Sequence, residues 1–187
     1  MHRTETSLPG VFLLEPKIWR DDRGYLFEAY HQAAFEKLGI AAEFVQDNVS
    51  FSVKGVLRGL HYQVQQPQAK LLRCVRGKVF DVVADIRRGS PTFGQWFGCE
   101  LSEENNLQLF IPIGCAHGFY TLSDDAEVYY KCSDFYYPKG QRTIAWNDPD
   151  LAIEWPLLNS EPIMSEKDRA GKPLAQAGPD DLLAFEV

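Results

Sequence analysis

The segment Arg58-Gly59-Leu60-His61-Tyr62-Gln63 lies within a long part of the chain that is typical of β-structure. From Phe44 to Trp155, short apolar stretches rich in β-branched and aromatic residues are separated by turn clusters such as Arg88-Gly89-Ser90-Pro91. Many short strands at a spacing of roughly 8–12 residues are typical of a β-sandwich or β-barrel. We therefore predict an all-β fold with few helices.

Two strands flanking Arg76-Gly77 predict a β-hairpin, because a short turn joins the two apolar runs Leu71–Val75 and Lys78–Ile86. One internal helix is predicted at Gln32–Leu38, ended by Gly39. A short helix is expected to open at Ser165, and the stretch Pro173–Pro179 is expected to be loosely ordered. Further strands are predicted at Val11–Leu14, Tyr25–Tyr30, Phe44–Asn48, Ser50–Val53, Gln95–Leu101, Leu107–Ile111, Gly118–Leu122, Glu127–Ser133 and Thr143–Trp146.

Strand alternation constrains the central segment. Regular alternation places Arg58 and His61 on opposite faces of their strand. Both side chains can serve one pocket only if the alternation is broken between them. Gly59 is the natural position for a β-bulge, so we predict an irregularity there.

Length and composition limit the class of protein. The chain has 187 residues, which fits one domain spanning residues 1–187 with a C-terminal tail at 169–187. Its net charge of −7 is dispersed, which argues against a nucleic-acid surface. The polar N-terminus predicts neither a signal peptide nor a membrane span, so we expect a soluble, cytoplasmic protein. The widely spaced cysteines are expected to be buried free thiols.

The four histidines differ in their surroundings. His2 and His31 lie in polar stretches and are expected at the surface. His61 and His117 lie in strands beside glycine, where an imidazole is either a structural hydrogen-bonding group or a catalytic base. A cation beside an imidazole is the minimum equipment for removing a proton next to a carbonyl group, and Arg58 supplies that cation. No closely spaced histidine pair is present, which disfavours a metal site.

Two other side chains have both a structural and a functional interpretation. In Tyr129-Tyr130-Lys131 only one tyrosine faces inward, either as a core aromatic or as a proton donor. Asp168 lies three residues after Ser165, a spacing that suits a helix-capping pattern. It also suits a carboxylate that orients an imidazole. Spacing alone leaves both alternatives open.

An ordered set of motifs resembles a known family, the dTDP-4-dehydrorhamnose 3,5-epimerases, from about Pro9 to Asp168. The set is more specific than any of its members, and it runs in this order: Gln46-Asp47-Asn48, Gly55-Val56-Leu57-Arg58-Gly59-Leu60-His61-Tyr62-Gln63, Gln68-Ala69-Lys70-Leu71, Phe80-Asp81-Val82, Asp85-Ile86-Arg87, Ser90-Pro91-Thr92-Phe93-Gly94, Ile111-Pro112, Ala116-His117-Gly118-Phe119, Tyr130-Lys131-Cys132 and Trp146-Asn147-Asp148-Pro149.

The resemblance implies a cupin-type jelly roll that needs no metal or other cofactor, works as a homodimer and converts dTDP-4-dehydro-6-deoxy-D-glucose to dTDP-4-dehydro-L-rhamnose. It implies His61 as the general base, Asp168 as the residue that orients it and Tyr130 as the acid on the opposite face. Tyr136 matches the ring that stacks on thymine. The other implied substrate contacts are Arg23, Glu28, Gln46, Asp47, Asn48, Arg58, Lys70, His117 and Lys167.

Two positions depart from the family pattern. Gln141 stands where glutamate is frequent, which suggests a changed nucleotide contact, and Cys115 stands where phenylalanine is usual, which suggests a reshaped pocket wall. Two alternatives to the 3,5-epimerase remain. One is an enzyme that inverts only C3 of the same substrate in another deoxysugar pathway, and the other is a non-catalytic cupin binding module.

Overall fold

The structure, a computed structural model, describes residues 1–185. The helices are α1 (Gln32–Lys37) and α2 (Glu166–Arg169), and 3₁₀ turns follow at Leu174–Gln176 and Pro179–Asp181. The strands, in chain order, are β1 (His2–Glu5), β2 (Phe12–Glu15), β3 (Trp19–Asp21), β4 (Gly24–Leu26), β5 (Gln46–Val53), β6 (Leu57–Gln63), β7 (Lys70–Arg76), β8 (Lys78–Asp85), β9 (Trp96–Ser102), β10 (Gln108–Ile111), β11 (Cys115–Thr121), β12 (Asp125–Cys132) and β13 (Gln141–Thr143).

The strands form two large antiparallel sheets and one small ribbon. The first large sheet has six strands in the order β1-β2-β10-β7-β12-β5, and the second has five strands in the order β13-β6-β11-β8-β9. The short strands β3 and β4 pair only with each other. The prediction of an all-β fold is confirmed. Among residues 1–185, no helix has both the length and the apolar character needed to cross a membrane.

The hairpin predicted around Arg76-Gly77 is wrong. β7 pairs with β10 and β12 in the six-stranded sheet, whereas β8 pairs with β9 and β11 in the other sheet. Gly77 is therefore the corner at which the chain crosses from one sheet to the other. A turn signal in the sequence does not distinguish this corner from a hairpin, because both need a residue with positive φ, and Gly77 has a φ of 70°.

Three apolar clusters show how the layers are stacked. Since burial of each large apolar side chain contributes about 1.5–3 kcal/mol, these clusters hold the two sheets in place. Between the sheets lie Leu72, Cys74, Val79, Val83, Leu101, Leu109, Ile111 and Phe119, among others. On the outer face of the six-stranded sheet, α1 contributes to a cluster of Phe12, Leu14, Phe35, Ile40, Leu71 and Phe110. On the outer face of the other sheet, the C-terminal segment contributes to a cluster of Leu60, Val82, Ala84, Ile86, Ile144, Leu151 and Leu174.

The irregularity predicted near Gly59 is confirmed. On β11, His117 is opposite His61 and Phe119 is opposite Arg58, so one residue of β11 faces two residues of β6. This bulge puts both Arg58 and His61 on the inner face of the sheet. Gly59 has a φ of 128°, and a Cβ atom there would lie 2.5 Å from the Cα of Gly118. Only glycine fits this backbone conformation and this close approach.

The helices and the tail agree only in part with the predictions. The internal helix is confirmed at Gln32–Lys37, and Gly39 has the positive φ expected after a helix end. α2 begins after Ser165, whose Oγ accepts a hydrogen bond from the backbone N–H of Asp168 at 3.1 Å. The stretch Pro173–Pro179 is more regular than expected, because Leu174 is buried within a 3₁₀ turn.

Candidate active site

A cavity of about 290 Å³ opens between the two sheets. Its walls come from β5, β7 and β12 on one side and from β6 and β13 on the other. Concave sites that combine apolar walls with a few convergent polar groups are typical of small-ligand binding. The lining side chains are Gln46, Asn48, His61, Tyr62, Gln63, Gln68, Lys70, Tyr130, Cys132, Tyr136 and Gln141.

His61 projects from β6 into this cavity and has a carboxylate behind it. Its Nε2 forms a short hydrogen bond with Oδ1 of Asp168, which is buried at the start of α2. Burial lowers the pKa of His61, and the opposing effect of Asp168 is smaller. At neutral pH the imidazole is thus uncharged, with Nε2–H donated to Asp168 and Nδ1 left as the free basic nitrogen.

Tyr130 lines the same cavity from β12, in the opposite sheet. Burial raises the pKa of its hydroxyl, while the positive charge of Arg58 acts in the other direction. The phenol is therefore protonated at neutral pH and able to donate. The neighbouring Tyr129 points to the outer face, where its hydroxyl donates to Asp47 at 2.9 Å. The expectation that only one of the two tyrosines faces inward is confirmed.

Two further basic groups lie near His61. Lys70, on β7, lines the cavity, and burial lowers the pKa of its ammonium group. His117, on β11, is the cross-strand partner of His61 and is almost fully buried. Both groups act electrostatically on His61, lowering its pKa. Lys70 therefore supplies a donor at the cavity wall, whereas His117 lies beside His61 and is not among the lining side chains.

Arg58 lies on the same inner face as His61 but is not among the lining side chains. Its Nε donates to Oγ of Ser52 at 2.9 Å, and its Nη2 donates to the carbonyl oxygen of Phe51 at 2.9 Å. Its charge nevertheless acts on both Tyr130 and Asp168. The guanidinium therefore contributes to the field of the site from a position anchored on β5.

The predicted Gln46-Asp47-Asn48 group is divided by strand alternation. Gln46 and Asn48 line the cavity, and the Oε1 of Gln46 accepts from the backbone N–H of Tyr136 at 2.9 Å. Asp47 points to the outer face, where it pairs with Nζ of Lys131 at 2.7 Å. Tyr136 lies at the rim and is about half exposed, as a stacking ring must be.

A second cavity of about 520 Å³ lies on the other side of Gln141 and includes Lys167. The Oε1 of Gln141 accepts from the hydroxyl of Tyr136 at 2.7 Å and, at shorter range, from Nζ of Lys167. Gln141 thus ties Tyr136 and Lys167 together at the rim. Cys115 packs in the central core and is not a lining residue, so its expected effect on the pocket wall is not seen.

Arg23 and Glu28 lie away from this cavity. Arg23 is at the turn between β3 and β4, is exposed, and pairs with Asp21. Glu28 contributes to a separate small cavity beside α1. Neither side chain lines the cavity of His61 in its own chain.

Sequence reasoning did not single out several residues of the site. Gln63 and Gln68 stabilise the loop that contains Phe135. Gln63 donates to the carbonyl oxygen of Phe135, and Gln68 donates to that of Asp134. Both had appeared within recognised motifs, which was the available signal. Asp81, also within a motif, is fully buried beside His117. Within residues 1–185, no group of three or more His, Cys, Asp or Glu side chains is placed to hold a metal ion.

Comparison with known proteins identifies the family. The sequence model described as dTDP-4-dehydrorhamnose 3,5-epimerase matches residues 5–176. The chain belongs to the dTDP-4-dehydrorhamnose 3,5-epimerase family. Membership of this epimerase family makes the chain an isomerase rather than a non-catalytic binding module.

Individual relatives in the dTDP-4-dehydrorhamnose 3,5-epimerase family are similar over almost their full length. The Pseudomonas aeruginosa enzyme of that name is 56% identical over 178 residues, covering 95% of this chain and 98% of its own. A Legionella pneumophila dTDP-6-deoxy-D-glucose-3,5-epimerase, solved with dTDP-4-keto-L-rhamnose, is 48% identical with a TM-score of 0.96, covering 100% of this chain and 99% of its own. A 3'-monoepimerase from Streptomyces bikiniensis, solved with dTDP-quinovose, is 38% identical with a TM-score of 0.86, covering 92% and 87%.

Proposed function

We propose that the chain converts dTDP-4-dehydro-6-deoxy-D-glucose to dTDP-4-dehydro-L-rhamnose, in the biosynthesis of dTDP-L-rhamnose. One observation carries the proposal: a neutral imidazole, His61, and a protonated phenol, Tyr130, line the same cavity from opposite sheets. A base and an acid on two sides of one sugar ring are what inversion of a carbon requires. The family relationship supplies the substrate class.

The first step is removal of a proton next to the C4 ketone. Nδ1 of His61 takes the proton from C3 or C5, and the C–H electron pair becomes the double bond of an enolate, whose charge rests on the C4 oxygen. The imidazolium that forms is stabilised by the carboxylate of Asp168. Lys70 lines the cavity, and its amino group donates a hydrogen bond to the enolate oxygen. Such preorganised electrostatic stabilisation is usually the largest contribution to catalysis.

The second step returns a proton from the opposite face. Tyr130 donates its phenolic proton to the carbon, which inverts the configuration and restores the ketone. The phenolate that forms lies in the field of Arg58, whose charge favours it. Before the second carbon reacts, His61 loses its proton to water, Tyr130 regains a proton from water, and the sugar ring shifts; no further catalytic group is needed. The protein needs neither a metal nor a redox cofactor for these proton transfers.

The nucleotide is held at the rim of the cavity in this proposal. Tyr136 stacks on the thymine ring, while Gln46 and Asn48 contact the nucleotide sugar from β5. Lys167, placed beside Tyr136, binds the diphosphate. Asp47 contributes to this end of the site indirectly, by holding Lys131.

The dimer that we propose explains why Arg23 and Glu28 lie outside the cavity of their own chain. The edge strand β5 exposes a stripe of Val49, Phe51 and Val53 on its outer face, each at least half exposed. An exposed apolar edge strand is a surface at which another chain can pair. Two chains that associate there carry the β3–β4 ribbon of each toward the other, so that Arg23 and Glu28 serve the partner's nucleotide.

Charged substitutions in the exposed apolar stripe of β5 test the proposed dimer. The double variant Val49→Asp, Phe51→Asp is expected to sediment as a monomer and to bind dTDP about tenfold more weakly, because the charges cannot be buried at an interface. Leu158→Asp, which alters an equally exposed apolar side chain elsewhere, is the control and should change neither property. A wild-type chain that sediments as a monomer at micromolar concentration contradicts the proposal.

Deuterium exchange tests the activity and separates it from its alternative. In heavy water, the wild-type enzyme is expected to introduce deuterium at both C3 and C5 of dTDP-4-dehydro-6-deoxy-D-glucose, as NMR or mass spectrometry will show. Exchange at C3 alone indicates the C3-only epimerase, an alternative that the similarity to a 3'-monoepimerase keeps in view. No exchange at either carbon contradicts both.

The pH dependence of Asp168→Asn follows from the direction of the pKa shift in His61. Burial already lowers that pKa, and Asp168 is the main influence that raises it. Activity requires the neutral imidazole, so the rate falls as pH drops through the pKa. In Asp168→Asn this acidic limb of kcat/KM should move to lower pH, while the plateau falls by roughly 100-fold because the imidazole is a weaker, less oriented base. If the acidic limb of kcat/KM moves to higher pH in Asp168→Asn, the role assigned to Asp168 is contradicted.

The state of the cysteines indicates the compartment in which the enzyme acts. All four cysteines are free, and burial raises the pKa of each thiol. Thiols kept in this state are typical of a reducing compartment. We expect the enzyme to act in the cytoplasm.

A further inference from the structure

A second histidine–aspartate pair lies beside the first. Asp81, on β8, is fully buried, and both of its carboxylate oxygens lie 3.0 Å from Nε2 of His117. The side chain of His117 is about 10% exposed. Since a buried carboxylate is costly unless it is paired, this hydrogen bond is a strong constraint on both groups.

The pair is part of a row that leads to the catalytic base. On the inner face of the five-stranded sheet, Asp81, His117 and His61 come from the adjacent strands β8, β11 and β6, and His117 is directly opposite His61. Lys70 faces the row from the other sheet. Burial raises the pKa of Asp81, whereas His117 and Lys70 both act to lower it. Asp81 therefore interacts with both basic groups, His117 and Lys70.

The hydrogen bond to Asp81 determines which ring nitrogen of His117 is available to a ligand. With Nε2–H donated to Asp81, the ring orientation is fixed and only Nδ1 remains free. Without the carboxylate, the ring is free to rotate and to take either tautomer.

We propose that Asp81 is a positioning residue for the epimerisation, which holds the ring of His117 in the orientation that presents Nδ1 to the substrate beside His61. No proton leaves His117: His61 takes the proton from carbon, and His117 keeps the sugar in place through Nδ1. This inference rests on the proposed function. The inference adds to the proposed function a fully buried residue, Asp81, that does not touch the substrate.

Two replacements separate the charge of Asp81 from its shape. Asp81→Asn keeps the size and one acceptor oxygen, whereas Asp81→Leu keeps only the size. We expect Asp81→Asn to lower kcat roughly 10- to 100-fold with KM changed less than about threefold, because the sugar is held less precisely for proton removal. Asp81→Leu should lower kcat further. Asp85→Asn is the control, since Asp85 is a buried carboxylate on the same strand that pairs with Arg87, outside the cavity.

Two readouts distinguish positioning from a purely structural role. In ¹⁵N-histidine NMR spectra, His117 should carry hydrogen on Nε2 in the wild type and in Asp81→Asn, and should be a mixture of tautomers in Asp81→Leu. In a double-mutant cycle, Asp81→Asn added to His117→Gln should cost almost nothing more in kcat, because the two residues act as one unit.

The outcomes are separable from those of the proposed function. If wild-type protein fails to exchange deuterium, the epimerase proposal fails whatever Asp81 does. If wild-type protein exchanges and Asp81→Asn has the same kcat, or if its loss simply adds to that of His117→Gln, the role of Asp81 is overturned. If Asp81→Leu does not fold, Asp81→Asn and the cycle decide the question.

Discussion

His61→Ala is expected to lower kcat at least about 1,000-fold and to abolish deuterium exchange at C3 and C5. The imidazole is the neutral basic group of the cavity that has a carboxylate behind it, and general base catalysis contributes about 10²–10⁴-fold to rate. Binding of dTDP should change little, because the proposed nucleotide site is at the rim, near Tyr136. Stopped exchange with retained nucleotide binding is the expected pair of results.

Controls are needed because the change also leaves Asp168 without its partner. His61→Asn retains a polar side chain beside that buried carboxylate and should be as inactive as His61→Ala while unfolding nearer the wild-type temperature. His2→Ala alters an exposed histidine on β1 and should have wild-type activity. Wild-type-like turnover in either His61 variant removes His61 from the role of base.

Tyr130→Phe is expected to separate exchange from inversion. The variant lacks the proton donor on one face of the sugar, so formation of the epimer should fall by roughly 10²–10³-fold. His61 still removes and returns a proton on its own face. Recovered substrate should therefore gain deuterium with its configuration unchanged, and NMR of the recovered sugar measures both quantities.

The matched control is Tyr129→Phe, which removes the neighbouring hydroxyl. That hydroxyl bonds Asp47 on the outer face of the sheet, so its loss should leave epimerisation intact. If Tyr130→Phe loses exchange and inversion to the same extent, Tyr130 is needed for proton removal and is not solely the acid of the second step.

Local sequence patterns predicted the structure correctly where residues of a single segment determine it. The bulge at Gly59 follows from two requirements that the sequence itself contains: strand alternation, and two side chains needed on one face. The corner at Gly77 was mistaken for a hairpin, because the turn residue is the same in both structures. Only the pairing partners of β7 and β8, which come from distant segments, distinguish the two.

The candidate site was predictable to the extent that its residues share a motif or a strand face. For Asp168 the two interpretations are compatible: its backbone N–H bonds Ser165, and its carboxylate bonds His61. Contact between residues 107 positions apart is a property of tertiary structure that spacing does not contain. The same holds for Asp81, whose importance depends on a neighbouring strand. In the dimer that we propose, the roles of Arg23 and Glu28 depend further on association between chains.

The central claim is that one sugar ring lies between His61 and Tyr130. A crystal structure of the protein with a bound dTDP-4-keto-6-deoxy sugar tests it most directly. We expect the pyranose between the two sheets, with Nδ1 of His61 facing one side of C3 or C5 and the hydroxyl of Tyr130 facing the other. A sugar bound with both groups on the same face, or bound in the cavity beyond Gln141, would contradict the account.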